Sequence, residues 1–305
     1  MDSLVILGPT AVGKSKLGID LSLKLDGEIL SIDSRQAYKH IDIGTAKPKP
    51  QERRKVPHHL IDILELSEKN NAERFAGIAK ETMENVISRH RLPILVGGSG
   101  FYLNVIFEGL FRIDLDEEER AKFNDYVKGT PTEKLYGKLL SFDPESADKI
   151  HSNDRYRIVR ALEIYTLSGI TLSEHFRRQK IDEEKSRMHF QKIGLNLPRA
   201  MLHERINRRT KNMIDSGWVE EVEGLLSGGA DPHWPGLETL GYPEVISYIN
   251  KQISRKDMIE KISSLTRQYA KRQVTWFRRE KDVTWLQAGD PDTVESVLRL
   301  VRNAR

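Results

Sequence analysis

Eight residues near the N-terminus carry the first chemistry in this chain. Gly8-Pro9-Thr10-Ala11-Val12-Gly13-Lys14-Ser15 fits G-x-x-x-x-G-K-[ST], the pattern of a loop that wraps phosphates. Gly8 and Gly13 let the backbone curl so that several N–H groups face an anion, and a following helix adds its positive N-terminal end. Lys14 brings a point charge to the phosphates, and Ser15 brings a hydroxyl that can ligate Mg²⁺. The pattern predicts binding of a phosphate or diphosphate and is silent on what the phosphates carry.

Asp33 follows EILSI (28–32), in the run DSRQAYKHIDIGTAKP. A carboxylate at the C-terminal end of a parallel strand lies on the rim where such sheets bind ligands. Three roles stay open there: holding Mg²⁺ through a water, acting as a general base, or capping a turn. PILVGGSG (93–100) ends without an acidic residue, where a nucleotide hydrolase often keeps its metal-binding Asp. That counts against an ordinary ATPase.

Basic residues cluster in three further stretches. In LTRQYAKRQVTWFRREK (265–281), Arg267, Lys271, Arg272, Arg278, Arg279 and Lys281 alternate with Tyr269, Trp276 and Phe277. Such interleaving suits an RNA backbone with unstacked bases, and it equally suits an amphipathic helix whose aromatics are core. Arg157 and Arg160 lie about one helical turn apart, and Arg205 and Arg209 are spaced i, i+4. Among these and Arg208, one could reach across to a diphosphate, while a solvated arginine is the alternative for each. His58-His59 has no third ligand nearby and reads as structural or as site lining, and His203 as an ordinary helix residue.

The elements that must hold these groups follow from the apolar pattern. Leu4 to Leu7 reads as a buried strand feeding the loop. Leu17, Ile19, Leu21, Leu23 and Leu25 mark a core-facing helix, with Gly27 as its C-cap. Glu28–Ile32 is a second strand. Residues 72–90 form a helix with Phe75, Ile78, Ala79, Met83, Val86 and Ile87 near one face, and Pro93 opens a third strand. Strands alternating with helices give a parallel α/β sheet. After about Phe111 the chain turns polar and rich in helix starts: Asp143-Pro144, Ser152-Asn153-Asp154 opening a helix that ends at Ser168-Gly169, and Thr171 with Glu174 as a capping box. Residues 113–188 are therefore expected to be a helical insertion between core segments 1–112 and 189–305. In the second segment Phe190–Leu197 is a strand, Pro198 starts a basic helix closed by Gly217, and Val283–Leu286 and Thr293–Val301 end the core.

The bulk numbers agree with this plan. The 305 residues suit one large domain with an insertion, or two domains. A net charge of +4 is compatible with nucleic acid. With no cysteine, disulfides, thiolate zinc sites and cysteine nucleophiles are excluded, and a reducing cytoplasm is the expected compartment. No apolar run nears the roughly 20 residues of a membrane helix, and the acidic start MDSLVILGPT is not expected to act as a signal peptide.

GPTAVGKS, SIDSRQAYKHIDIGTAKP, LVGGSGFYL, NDRYRIVRALEI, ETLGYPEV and AKRQVTWFR occur in that order over nearly the whole chain. Together they resemble the bacterial tRNA dimethylallyltransferase family, also called tRNA isopentenyltransferases. The resemblance implies a P-loop NTPase/kinase-like core with a helical insertion that grips the anticodon arm. It implies transfer of a dimethylallyl group from dimethylallyl diphosphate to N6 of adenosine 37 in tRNA, with Mg²⁺ at Ser15. By resemblance Asp33 is the base, and Thr10, Lys14 and an arginine meet the leaving diphosphate. Arg209 aligns best with the family pattern and Arg205 is the alternative. Ser34, Arg35 and Gln36 would hold the flipped base. Ser99, Arg120, Tyr156, Arg157, Arg160, Lys271, Arg272, Gln273, Trp276 and Arg278 would contact tRNA. The zinc finger of eukaryotic relatives has no counterpart here, and Ser99 stands where some relatives have Thr. A monomer is expected. Two other classes remain at this point: an ATP-dependent small-molecule kinase, which leaves the basic–aromatic stretch unexplained, and a nucleotide-dependent RNA-binding module without chemistry.

Overall fold

The computed structural model describes residues 2–108, 117–183 and 189–303. The chain divides into two compact units, Met1–Phe107 with Met188–Arg305, and Glu108–Arg187. The expected boundary at 112–113 lies outside the described residues, as does residue 188 of the second.

The first unit opens with β1 (Ser3–Leu7), α1 (Lys14–Leu25), β2 (Gly27–Ile32), α2 (Pro50–Lys55), β3 (His58–His59), α3 (Ala72–Ser88), β4 (Leu92–Gly97) and α4 (Gly100–Glu108). The second unit holds α5 (Glu117–Lys128), α6 (Thr132–Phe142), α7 (Pro144–Lys149), α8 (Arg155–Ser168) and α9 (Leu172–Glu183). The first then resumes with β5 (Phe190–Asn196), α10 (Arg199–Asp215), α11 (Trp218–Ser227), α12 (Tyr242–Ile249), α13 (Arg255–Phe277), β6 (Val283–Gln287) and α14 (Thr293–Asn303).

The six strands form one sheet in the order β3-β2-β4-β1-β5-β6, and every pairing is parallel. Strands covered on both faces should read as unbroken apolar runs. β1, β2 and β4 are buried at every position, whereas the edge strand β6 is half-open. Leu4, Ile6, Leu21, Ile94 and Ile193 meet in the core around them. Each such side chain contributes about 1.5–3 kcal/mol.

Several local expectations change. Asp26, not Gly27, takes the left-handed cap of α1 (φ 53°), and its N–H donates to the Ser22 carbonyl. Gly27 already belongs to β2, so close to β4 that a Cβ would lie 2.9 Å from the Leu92 carbonyl oxygen. Leu23 is exposed, because its turn of α1 faces solvent, and Ile87 likewise sits at the open edge of α3. Thr171 accepts from the Glu174 N–H, and the Glu174 carboxylate pairs with Arg177 and Arg178. His58-His59 is the edge strand itself. His59 Nε2 sits 2.7 Å from Glu28, and His58 Nδ1 sits 2.7 Å from the Val56 carbonyl.

In the helical unit, Leu135, Leu139, Ile158, Ala161 and Leu162 form a separate core. One carboxylate braces it: Asp143 accepts from Ser146 N–H at the start of α7 and from Ser173 N–H at the start of α9. Burial pushes this carboxyl up, but the bonds from Ser146 and Ser173 outweigh it and hold it below the usual range. α8 is capped by Asp154, the last of the three residues expected to open it, and by Gly169 at its end.

Candidate active site

The register of the sheet brings the candidate groups together. Gly97 of β4 is level with both Leu7 of β1 and Ile32 of β2. Three loops therefore leave the C-terminal edge side by side: Gly8 to Ser15, Asp33 to Gln36, and Gly98 to Gly100. This is the rim where open parallel sheets bind ligands. With α10 and α13 they enclose a cleft of about 1590 Å³, lined among others by Thr10, Lys14, Ser15, Asp33, Arg35 and Arg209.

The phosphate loop is already curled, with Gly8 at φ 143° and Gly13 at φ 114°. The Lys14 ammonium folds back and donates to the Gly8 and Pro9 carbonyls at 2.8 and 2.9 Å. Burial pushes it down to about 7, with Asp33 opposing and Arg209 adding to the fall. The two α10 arginines divide their work. Arg205 Nη1 donates to the Val12 carbonyl at 3.1 Å, while Arg209 Nη1 donates to the Thr10 hydroxyl at 3.5 Å. Burial lowers the Arg209 guanidinium, Asp33 opposes this and Arg35 reinforces it. An arginine starting from 12.5 stays charged at neutral pH. Asp33, Lys14 and Arg209 thus feel one another's charge in one cleft.

Asp33 also holds its own turn, accepting the Arg35 N–H at 3.0 Å, so the turn-capping role is real and leaves the other roles open. The Ser34 N–H donates to Ser99 Oγ at 3.4 Å. The Arg35 guanidinium lies 4.2 Å above the Tyr269 ring, whose hydroxyl bonds Ser99. Burial raises the Tyr269 phenol. Tyr269 is a cleft residue that the sequence flagged only as one aromatic among several.

Two expected base- or RNA-contacting residues are spent internally. Gln36 is buried; it accepts from Ser31 Oγ and donates to the Thr45 and Ala46 carbonyls. Gln273 is buried too, with both ends of its amide bonded to backbone. A buried backbone group without a partner is costly, and these amides supply the partners. Lys47 is a further residue missed by sequence. Its ammonium is buried against the Tyr38 carbonyl, Asp42 and Asp62, and it knits the DIGTAKP run into the cleft wall.

The remaining expected contacts lie on surfaces. On α13 and just past it, Lys271, Arg272 and Arg278 are exposed, while Trp276 is half-buried over Gly100. In the helical unit Tyr156 is 81% exposed. There Arg157 pairs with Asp154 and Arg160 with Glu163. The side chain of Arg120 lies outside the described residues. No described helix is long and apolar enough to cross a membrane.

Comparison with known proteins decides the family. The profile of the IPP transferase family matches residues 36–280. The chain belongs to the IPP transferase family. A tRNA dimethylallyltransferase of Caldanaerobacter subterraneus is 40% identical over 96% of this chain and 94% of its own length. That of Finegoldia magna is 41% identical over 94% and 91%. Among solved structures, the full-length tRNA isopentenylpyrophosphate transferase of Bacillus halodurans shares 36% identity at a TM-score of 0.72, covering 100% of this chain and 96% of that one. A eukaryotic dimethylallyltransferase captured acting on tRNA shares 31% identity at a TM-score of 0.82, covering 99% and 78%. Family membership makes this chain a prenyltransferase and sets aside both the kinase and the binding-module expectations.

Proposed function

We propose that this chain transfers a dimethylallyl group from dimethylallyl diphosphate to N6 of adenosine 37 in tRNA and releases diphosphate. Its relatives carry the name tRNA dimethylallyltransferase. The observation that carries the reading within this chain is the shared cleft. A carboxylate at the end of β2 opens onto the same space as the phosphate loop, and both Lys14 of that loop and Arg209 of α10 sense that carboxylate.

The chemistry then runs as a displacement. Adenine N6 is a weak nucleophile because its lone pair is delocalised into the ring, so a base must take its proton as it attacks; Asp33 takes it. The bond from C1 of the prenyl group to the diphosphate oxygen breaks as the C1–N6 bond forms. Charge growing on the diphosphate is met by loop N–H groups from Ala11 to Ser15, by the Thr10 hydroxyl, and by Lys14 and Arg209. Arg205, engaged with the Val12 carbonyl, braces the loop.

Mg²⁺ fits the donors present. The Ser15 hydroxyl is a hard oxygen ligand lining the cleft, and Asp33 stays free of the ion to act as the base. The described residues hold no cluster of three or more His, Asp or Glu that could bind a metal alone, so the ion would share phosphate oxygens and water. When bound it would neutralise charge on the departing diphosphate.

The target base leaves its stack to reach the cleft. Arg35 lines that cleft, with Ser34 and Ser99 bonded to one another beside it. Lys271, Arg272, Trp276 and Arg278, with Tyr156, Arg157 and Arg160 of the helical unit, take phosphate, sugar and stacked bases of the anticodon arm, fixing position more than sequence. The enzyme acts as a cytoplasmic monomer in this proposal. Unmodified tRNA incubated with the protein, Mg²⁺ and dimethylallyl diphosphate, then digested for nucleoside mass spectrometry, tests it. N6-isopentenyladenosine is the expected product. Its absence, with ATP turnover instead, would overturn the reading.

A further inference from the structure

We infer that Gln273 is a positioning residue that ties α13 to the phosphate loop and sets Thr10 for the leaving diphosphate, rather than a contact to RNA. This rests on the reading above and names a residue that reading leaves without a role.

One side-chain amide joins three elements. Gln273 Oε1 accepts the Thr10 N–H at 2.8 Å, and Nε2 donates to the Gly98 carbonyl at 2.8 Å. The side chain comes from α13, the donor from the loop after β1, and the acceptor from the turn after β4. Gln273 lines the cleft but is only 6% exposed, and both ends of its amide are engaged by backbone, although its neighbours Lys271 and Arg272 point to solvent. The fit is tight on the β4 side as well. A Cβ on Gly98 would lie 2.2 Å from Gln273 Nε2, so the turn has room for this amide only while position 98 is glycine.

The bond has a consequence for catalysis. In a phosphate loop the backbone N–H groups are the usual anion ligands. Here the Thr10 N–H is taken by Gln273, so Thr10 can offer a diphosphate its hydroxyl, the group that Arg209 approaches at 3.5 Å. Gln273 thereby fixes which part of Thr10 faces the leaving group. Only a side chain that accepts at one end and donates at the other satisfies both backbone groups. Methionine has the length and neither bond, and it would leave a part-buried N–H and a buried carbonyl unpaired. The loop would then relax, and a misplacement of about 1 Å at a reacting centre costs on the order of 100-fold in rate.

The test uses Gln273→Met, Gly98→Ala and the double variant in the full-length protein. It reads kcat at saturating tRNA, the Kd for tRNA, and the Kd for inorganic diphosphate by calorimetry. Gln273→Met should lower kcat about 100-fold while tRNA affinity stays within about threefold. Gly98→Ala should lower kcat on its own by displacing the amide, and the double variant should be no worse than Gln273→Met, because the two changes break one linkage. A general structural defect does not produce that non-additivity. Weaker tRNA binding with unchanged kcat would make Gln273 an RNA contact and overturn the inference, as would a kcat within about threefold of the parent. If Gln273→Met does not fold, Gly98→Ala decides: reduced kcat with intact tRNA affinity supports the linkage and parental kcat overturns it. If the parent protein itself forms no product, the functional reading fails, and diphosphate affinity alone judges the linkage. About tenfold weaker binding in Gln273→Met then supports it and unchanged binding refutes it.

Discussion

α10 and α13 are both long, both basic and packed against one another, yet they send their cations in opposite directions. α10 turns Arg205 and Arg209 onto the phosphate loop and leaves Arg208 exposed and paired with Glu204. α13 turns Tyr269, Gln273 and Phe277 inward and leaves Lys271 and Arg272 in solvent. A bond from Arg267 to Asn207 at 2.6 Å joins the two helices. The difference follows from what each inner face meets. The inner face of α10 meets loop carbonyls and a space meant for an anion, which compensate a buried cation. The inner face of α13 meets a glycine turn with unpaired backbone groups, which calls for a neutral amide. Charge count therefore says that both helices are basic, while the neighbouring backbone decides which charges do chemistry.

The sharpest way to break this division is to remove the inward chemistry. Asp33→Asn keeps the side chain's shape and loses the base. Its kcat should fall about 1000-fold, within the usual range for a general base, with tRNA affinity unchanged. Near-normal turnover in single-turnover assays would end the assignment of Asp33 as base. Arg209→Ala comes next, with an expected loss in kcat of about 100-fold, as for removal of one donor to a developing anion. Its tRNA affinity should hold. If tRNA binding fell instead, α10 would be an RNA helix and the comparison would invert.

The outward face makes the complementary claim. Lys271→Ala, Arg272→Ala and Arg278→Ala combined should weaken tRNA binding about 30-fold at moderate salt and flatten the slope of log K against log salt by about 2. kcat at saturating tRNA should stay within about twofold. A filter-binding salt series separates these outcomes. A loss confined to kcat would mean that the exposed cations serve the cleft.

How much of this could be read from sequence depends on the range of the forces involved. The phosphate loop, the strands feeding it and the caps of α8 and α7 were legible, because glycine spacing, apolar runs and Asp-Pro act within a few residues. The direction of the α10 arginines was legible in part: i, i+4 spacing put Arg205 and Arg209 on one face. Which of them meets Thr10 depends on the loop lying across that face, which no local pattern records. The internal bonds of Gln36 and Gln273 were illegible for the same reason. A glutamine beside basic residues suggests an RNA contact, and only the fold reveals the carbonyls and N–H groups it must satisfy, 263 residues away in the case of Thr10 and Gln273.

The smallest expected effect concerns Lys14, and it probes how an inward cation is held. Burial pushes its ammonium from 10.5 down to about 7. A bound diphosphate favours the charged form and raises that value, so binding takes up a proton. Diphosphate affinity should therefore be full below about pH 7 and fall as pH rises above it, by at most tenfold per unit. Calorimetry in buffers of different protonation enthalpy should detect close to one proton taken up near pH 8. The stability of the diphosphate-free protein should move the other way. Between about 7 and 10.5 the unfolded lysine carries a proton that the folded one lacks, so stability rises with pH across that window. No proton uptake at pH 8 would mean that Lys14 is already charged. The Gly8 and Pro9 carbonyls would then be enough to keep a buried ammonium ionised, and the contrast between the two helices would rest on hydrogen-bond partners rather than on the arrival of an anion.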